Sequence, residues 1–203
     1  MKTIGLVGGV ASGKSLVAQI FVELGAGLLD ADRAGHEVLA NDPEVRQAVV
    51  DRWGPSVLAA DGSINRSAIA KHVFAADNRA DRERQFLESL LHQRIRRRLD
   101  AQRAVFAAVG KPAVVLDAPL LLEAAWGPMC NVLVMVDSPR DERLARAVQR
   151  GWSSEEFLRR ESVQWSVDDK RRQADVLITN DGTLDDLRDA VRDVWERYVV
   201  KPT

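Results

Sequence analysis

A chain of 203 residues, 46% of them apolar, can build one α/β unit of roughly 150 residues with insertions, or at most two small domains. Its 29 Lys and Arg against 30 Asp and Glu leave a formal net charge of -1, which excludes a general nucleic-acid or anionic-membrane binder while leaving room for local basic patches. One cysteine, Cys130, excludes an intrachain disulfide and a cysteine-based zinc site, and no run reaches the roughly 18 apolar residues of a spanning helix.

The N-terminus enters a strand almost at once and lacks the basic-then-apolar form of a signal peptide, so a cytoplasmic protein is expected. Ile4-Gly5-Leu6-Val7 reads as a short buried strand. It runs into Gly8-Gly9-Val10-Ala11-Ser12-Gly13-Lys14-Ser15, which matches the phosphate-cradling pattern G-x-x-x-x-G-K-[ST]. From Leu16 to Leu24 the apolar residues Val17, Ile20, Phe21 and Leu24 fall at helical spacing, with Gly25 as C-cap. In this setting the glycines let backbone N–H groups converge, and the helix N-terminus adds a positive field. Lys14 reaches the β/γ phosphates and the Ser15 hydroxyl can ligate Mg²⁺.

Ala26-Gly27-Leu28-Leu29-Asp30-Ala31-Asp32 is a short apolar run ending in two acids, the way a parallel sheet delivers carboxylates to its ligand-binding edge. In strand geometry Asp30 and Asp32 share a face. One could orient or deprotonate an acceptor hydroxyl and the other hold a water of a Mg²⁺ shell; alternatively the pair caps a helix from Ala34 to Leu39. Asp32, further out along the strand, is the better base. Asn41-Asp42-Pro43 restarts a helix with Val45, Val49 and Val50 buried, and Trp53-Gly54-Pro55 and Asp61-Gly62-Ser63 are turns. Another helix carries Ile69, Val73 and Phe74.

Arg79 to about Val109 is helical in pattern, with Phe86, Leu87, Leu90, Leu91, Ile95 and Leu99 on one side and Arg94, Arg96, Arg97, Arg98 and Arg103 over much of the rest. Those arginines are either an ordinary solvated face or a positive wall for an acceptor that itself carries phosphates. The stretch 39–110 is too long for a simple crossover and divides the chain into a core of 1–38 and 111–203 and a helical insertion suited to acceptor specificity.

Ala113 to Asp117 is a third strand, its terminal acid placed as a Walker-B-like or metal-supporting carboxylate. Cys130, approaching the fourth strand at Asn131 to Asp137, reads as an inert thiol. Ser138 and Pro139 read as N-cap and first residue of a helix carrying Arg140, Arg143, Arg146 and Arg150. Ser154 caps a further short helix, and Gln164, Lys170, Arg171 and Arg172 follow. The region 140–173 resembles a lid with few apolar anchors and many donors, suited to excluding water from a transferring phosphoryl group. Asp175 to Thr179 is the fifth strand. The turn at Asn180-Asp181-Gly182 reaches the same sheet edge as the phosphate loop, and Thr183 or Asp185 caps the last helix.

These residues together resemble the dephospho-CoA kinase family over nearly the whole chain. The resemblance is carried by Gly5 to Ser15, Leu24-Gly25, Asp30-Ala31-Asp32, Asp61-Gly62 with Arg66, Val73-Phe74, Leu87-Glu88 and Leu91-His92. It continues in Asp117 to Glu123, Gln164, Lys170, Ala174-Asp175 and Ile178 with Asn180 and Gly182. It implies MgATP-dependent phosphorylation of the ribose 3′-hydroxyl of dephospho-CoA. It also implies a three-layer α/β sandwich of P-loop NTPase type: a five-stranded parallel sheet, a helical acceptor-binding insertion and a helical lid. The family's base position falls on Asp32, the Walker lysine on Lys14, and the lid arginine on Arg146 or Arg150. Nucleotide contacts fall on Gly9 to Leu16, Arg146 and Asn180. Acceptor contacts fall on Asp32, His92, Arg96, Asp117 and Leu120, and the metal falls to Ser15 with Asp30 behind it. The implied partners are ATP, Mg²⁺ and dephospho-CoA, with no nucleic acid or membrane, and a monomer or weak oligomer. The chain departs from the family at Gln93, where Pro usually follows His; at Leu16, where many relatives have Thr; and at Ala118, where Val or Ile commonly precedes Pro. Rival readings are another P-loop small-molecule kinase, such as a nucleoside monophosphate or shikimate kinase, and a nucleotide-dependent switch. The switch would want an Asn-Lys-x-Asp-like segment, which the chain lacks.

Overall fold

The computed structural model describes residues 1–73 and 79–201, so Phe74 lies outside the described residues. Among these residues, β1 (Lys2–Gly8), β2 (Gly27–Asp30), β3 (Ala113–Asp117), β4 (Val132–Asp137) and β5 (Val176–Thr179) form one parallel sheet in the order β2-β3-β1-β4-β5. Val114, Val115 and Leu116 of β3 and Val134, Met135 and Val136 of β4 are fully buried, as continuous apolar runs in an all-parallel sheet must be. β1 lies at the centre, and the sheet changes direction of winding on either side of it. Ligands bind at such a switch point, beyond the carboxyl ends of the strands.

The helices are α1 (Lys14–Glu23), α2 (Ala31–Asn41), α3 (Pro43–Trp53), α4 (Arg66–Val73), α5 (Ala80–Ala108), α6 (Arg140–Gln149), α7 (Ser154–Ser162), α8 (Val167–Gln173) and α9 (Leu184–Trp195). α1 and α9 pack on Ile4, Leu6, Val115, Val134 and Ile178 from one face of the sheet. Phe21 and Trp195 meet there with ring centroids 6.4 Å apart, and burying each ring contributes about 2–3 kcal/mol. α1 ends as its sequence requires: Gly25 takes φ 113°, its N–H donates to the Val22 carbonyl, and the Ala26 N–H donates to that of Phe21. α9 begins with a reciprocal cap, Thr183 accepting from the Asp186 N–H while the Asp186 carboxylate accepts from the Thr183 N–H.

The chain divides into two compact units, residues 1–30 with 102–203 and residues 31–101. The divisions expected after 38 and 110 therefore fall earlier. Val38 and Leu39 of α2 join Val45 and Val49 of α3, with Leu91 and Ile95 of α5 packed against them, so α2 belongs to the second unit.

Three local expectations are corrected. β2 stops at Asp30, and Asp32 occupies the first turn of α2 instead of the strand, so the two acids do not share a strand face. Ser138 does not cap α6, which follows Pro139 without a side-chain cap; its hydroxyl instead donates to the Asn180 carbonyl at 2.8 Å. α7 is capped by Ser153, not Ser154, through the Glu156 N–H.

Candidate active site

The phosphate loop leaves β1 and closes on α1. Gly13 is the α1 N-cap at φ 101°, with no side chain competing for the first-turn amides. A Cβ on Gly13 would stand 2.2 Å from Asn180 Nδ2, and one on Gly9 would stand 2.8 Å from Arg143 Nη1. Only glycine fits either place. The result is a concave run of backbone at a helix N-terminus, the ordinary setting for an anion. Ser12 Oγ is buried there with no partner among the described residues, which suits a loop completed by a polar ligand.

Lys14 folds back over this loop, Nζ donating to the carbonyls of Gly8 at 3.2 Å and Gly9 at 3.1 Å. Burial holds its pKa down to about 8; Asp117 and Glu123 oppose that shift, while Lys170 and Arg143 add to it. A polyphosphate would restore the charge. Below about pH 8 the ammonium is already protonated; between about 8 and 10.5 the empty site holds a growing neutral fraction that ligand binding recharges. MgADP binding is therefore expected to take up close to one proton at about pH 9 and almost none at about pH 7. Isothermal titration in two buffers of different ionisation enthalpy measures this uptake, and equal uptake at the two pH values would contradict it.

Ser15, exposed at the start of α1, donates from Oγ to Asp117 Oδ2 at 3.0 Å. Asp30 stands in register with Asp117 across the β2–β3 pair. Burial, with Asp30 adding to it, raises the Asp117 carboxyl above its usual value, while the Ser15 hydroxyl and Lys14 pull it down. A hydroxyl and two carboxylates beside an anion cradle are the hard oxygens Mg²⁺ prefers. Among the described residues no three His, Cys, Asp or Glu cluster to hold a metal by themselves.

Behind the loop, Arg146 of α6 donates to the Ser12 carbonyl, Ser138 Oγ, Glu142 Oε2 and the Asn180 carbonyl. Asn180 Nδ2 donates to the Ser12 carbonyl at 2.8 Å. Arg146 and Asn180 are thus brought together at the loop. Arg150, the α6 C-cap, is exposed one turn further on, and Leu16 is 45% exposed. Leu120 is half-buried in the segment after β3.

The region expected as a loosely anchored lid has firm anchors. Phe157 of α7 is fully buried with Val10 and Ala147. On α8 the buried Lys170 donates to Gln164 Oε1 at 2.8 Å and pairs with Glu123 at 3.2 Å. Glu123 Oε1 also accepts from the Trp165 N–H, and Arg171 bonds Asp137 Oδ2 at 2.6 Å. Sequence reasoning counted Arg143 and Lys170 only among the lid's donors and did not foresee the loop contact of Arg143 or the Lys170–Glu123 pair. The available signal was helical spacing, which puts Arg143 on the same face of α6 as the buried Ala147. Burial, with Asp175 adding to it, pushes the Cys130 thiol up to about 12.

In the unit 31–101, the arginines of α5 divide. Arg94 is paired with Asp42 at 3.1 Å and Glu44 at 2.8 Å, and Arg98 with Glu37, so these two brace α2 and α3. Arg96 and Arg97 are exposed, Arg96 at 4.0 Å from Asp100. His92 is half-buried on the same helix, and Asp32 sits at the N-terminal end of α2, where the helix field favours a carboxylate.

The profile of the dephospho-CoA kinase family matches residues 2–186. A dephospho-CoA kinase of Symbiobacterium thermophilum is 38% identical over 196 residues, covering 96% of this chain and 80% of the relative. Among solved structures, TT1252 from Thermus thermophilus superposes with a TM-score of 0.78 at 31% identity, over 95% of both chains. Dephospho-CoA kinase from Campylobacter jejuni shares the fold, with a TM-score of 0.71 at 23% identity over 98% of this chain and 97% of that one. The five-stranded parallel sheet, the phosphate loop and this match over most of the chain lead to one assignment: the chain belongs to the dephospho-CoA kinase family.

Proposed function

We propose that this kinase, which converts dephospho-CoA to CoA at the expense of ATP, does so by direct in-line transfer of the γ-phosphoryl group to the ribose 3′-hydroxyl. The bond from phosphorus to the attacking 3′-oxygen forms as the bond to the ADP oxygen breaks, and the hydroxyl proton passes to Asp32. No phosphoenzyme intervenes. The observation that carries the reading is the complete phosphate loop with Lys14 folded over it and Ser15 hydrogen-bonded to Asp117.

Asp32 is assigned as base because it follows the carboxyl end of β2 by two residues and because the family resemblance implies the base at this position. It stands in a helical first turn, where the helix field favours a carboxylate. Lys14 and the loop amides of Gly9 to Ser15 hold the transferring group, and Arg146 and Asn180 shape the nucleotide side. When bound through Ser15, with Asp30 and Asp117 behind it, Mg²⁺ would neutralise charge on the β- and γ-phosphates. Arg150, exposed at the end of α6, is free of the loop contacts that fix Arg146, which suits it to meet phosphates on closure. In the unit 31–101, His92 and Arg96 are proposed to contact the acceptor, whereas Arg94 and Arg98 are structural. Asp117 and Leu120 border the acceptor's reacting end.

Most of the rate then comes from positioning and electrostatics, since phosphoryl transfer asks little covalent chemistry of the protein. The test is ADP formation from MgATP with and without dephospho-CoA. ADP is expected in stoichiometric proportion to the acceptor added, with little in its absence. Acceptor-independent turnover would indicate a nucleotide-hydrolysing switch instead.

Among the described residues no helix is long and apolar enough to cross a membrane.

A further inference from the structure

Two carbonyl groups of the phosphate loop are tethered from outside. The Val10 carbonyl accepts from Arg143 Nη1 at 3.2 Å, and the Ser12 carbonyl accepts from Asn180 Nδ2 at 2.8 Å and Arg146 Nη1 at 3.4 Å. Among the described residues all peptide bonds are trans. In a trans peptide the C=O and the N–H that follows point in opposite directions. Drawing the Val10 carbonyl toward α6 therefore turns the Ala11 N–H away from α6, and the tether on Ser12 does the same for the Gly13 N–H. Between the two tethers sits Ala11 at φ 58°, a left-handed conformation that a residue with a Cβ adopts only under constraint.

Arg143 is placed to hold the loop, not to reach a ligand. It is 4% exposed. Its Nε donates to the Ser138 carbonyl at 3.3 Å, and Nη1 also donates to Glu161 Oε1 at 2.7 Å. The guanidinium lies 5.7 Å from the centroid of the buried Phe157 ring, and Gly9 leaves it room by lacking a Cβ. Glu161 is in turn steadied by Arg140 at 3.4 Å.

We propose that Arg143, braced by Glu161, is a positioning residue that fixes the Val10–Ala11 peptide with its N–H facing the bound phosphates. It acts on the ligand through the loop amide, and the proposal rests on the nucleotide-binding reading of the loop. A left-handed alanine supplies the inward N–H, and a buried guanidinium keeps it from relaxing.

Inorganic tripolyphosphate with Mg²⁺ is the probe, titrated calorimetrically into the whole protein. Glu161→Gln separates positioning from charge. Removing a carboxylate near an anion site strengthens anion binding if charge alone matters. If Glu161 braces Arg143, binding weakens instead, by about tenfold for the loss of one charge-assisted hydrogen bond. Arg143→Gln and Arg143→Met are both neutral and similar in size, but only Gln keeps a donor for the Val10 carbonyl. The Gln variant is expected to bind tripolyphosphate at least about fivefold tighter than the Met variant. The ¹⁵N-labelled Ala11 amide is expected to shift on tripolyphosphate addition in the parent and by less in the Met variant. Equal affinities of the Gln and Met variants would overturn the proposal, as would unchanged or tighter binding by Glu161→Gln. If Arg143→Met does not fold, the direction of the Glu161→Gln effect decides. A parent protein that binds no tripolyphosphate would remove the nucleotide reading itself, whereas parent binding with unaffected variants removes only the role of Arg143.

Discussion

Replacing Asp32 by Asn is expected to lower kcat by about 10²–10⁴-fold while leaving the KM for ATP within about twofold. The substitution keeps the size and the hydrogen-bonding reach of the side chain but removes its capacity to accept a proton. Asp32 stands in the first turn of α2, where the amide corresponds to an ordinary helix-start residue, so folding should survive. Steady-state kinetics at saturating acceptor, with the melting temperature as a control, measures the effect. Near-normal turnover at saturating substrates would remove Asp32 as the base and leave transfer to positioning alone.

Lys14→Met is expected to act on the other partner of the reaction. Losing the ammonium from the transferring phosphoryl group should cost about 10²–10³-fold in kcat and weaken ATP binding as well. Its stability should shift with pH as well. Without ligand, burial lowers the Lys14 pKa to about 8 from 10.5. A base with a lowered folded pKa penalises folding fully below that folded value, and the penalty fades as pH rises from about 8 to 10.5. Methionine removes the penalty together with the hydrogen bonds to the Gly8 and Gly9 carbonyls, so the variant's stability relative to the parent should be higher below pH 8 than above about pH 10.5. Denaturant titrations at two pH values together with activity distinguish this from simple damage, which would lower stability equally at both.

The sheet was legible in the sequence because fully buried parallel strands are written as uninterrupted apolar runs. Ala113 to Leu116 and Val132 to Val136 have no other plausible reading, and the glycine pattern at Gly8 to Ser15 fixes a backbone that side chains cannot imitate. What the sequence left ambiguous was settled by partners far along the chain. Asp32 suits a strand end or a helix first turn equally, since both edges attract carboxylates; α2 begins at once because Val38 and Leu39 have Val45 and Val49 to pack on. Ser138 has the chemistry of a cap, but Asn180 and Arg146 claim its hydroxyl and no local pattern announces them. The arginines of α5 look alike in sequence, and only the acids at Glu37, Asp42 and Glu44 separate the braced Arg94 and Arg98 from the exposed Arg96 and Arg97. Arg143 is the extreme case. Helical spacing puts it on the buried side of α6 with Ala147, but nothing local announces that its guanidinium bonds the Val10 carbonyl far along the chain.

The departure at Leu16 has a simple structural form. Its side chain is 45% exposed on the first turn of α1, where it offers no hydroxyl to a nucleotide. In the proposed reading, phosphate contact there would rest on backbone amides, which raises the importance of whatever holds those amides in place.

A phosphoryl group held by this loop is expected to reach one hydroxyl of one acceptor. Incubation of the protein with MgATP and dephospho-CoA, followed by ³¹P NMR of the purified product, reads both at once. A single new phosphomonoester is expected on the ribose 3′-oxygen, coupled to the ribose 3′-proton. A product phosphorylated elsewhere, or no product under conditions where ATP binds, would contradict it.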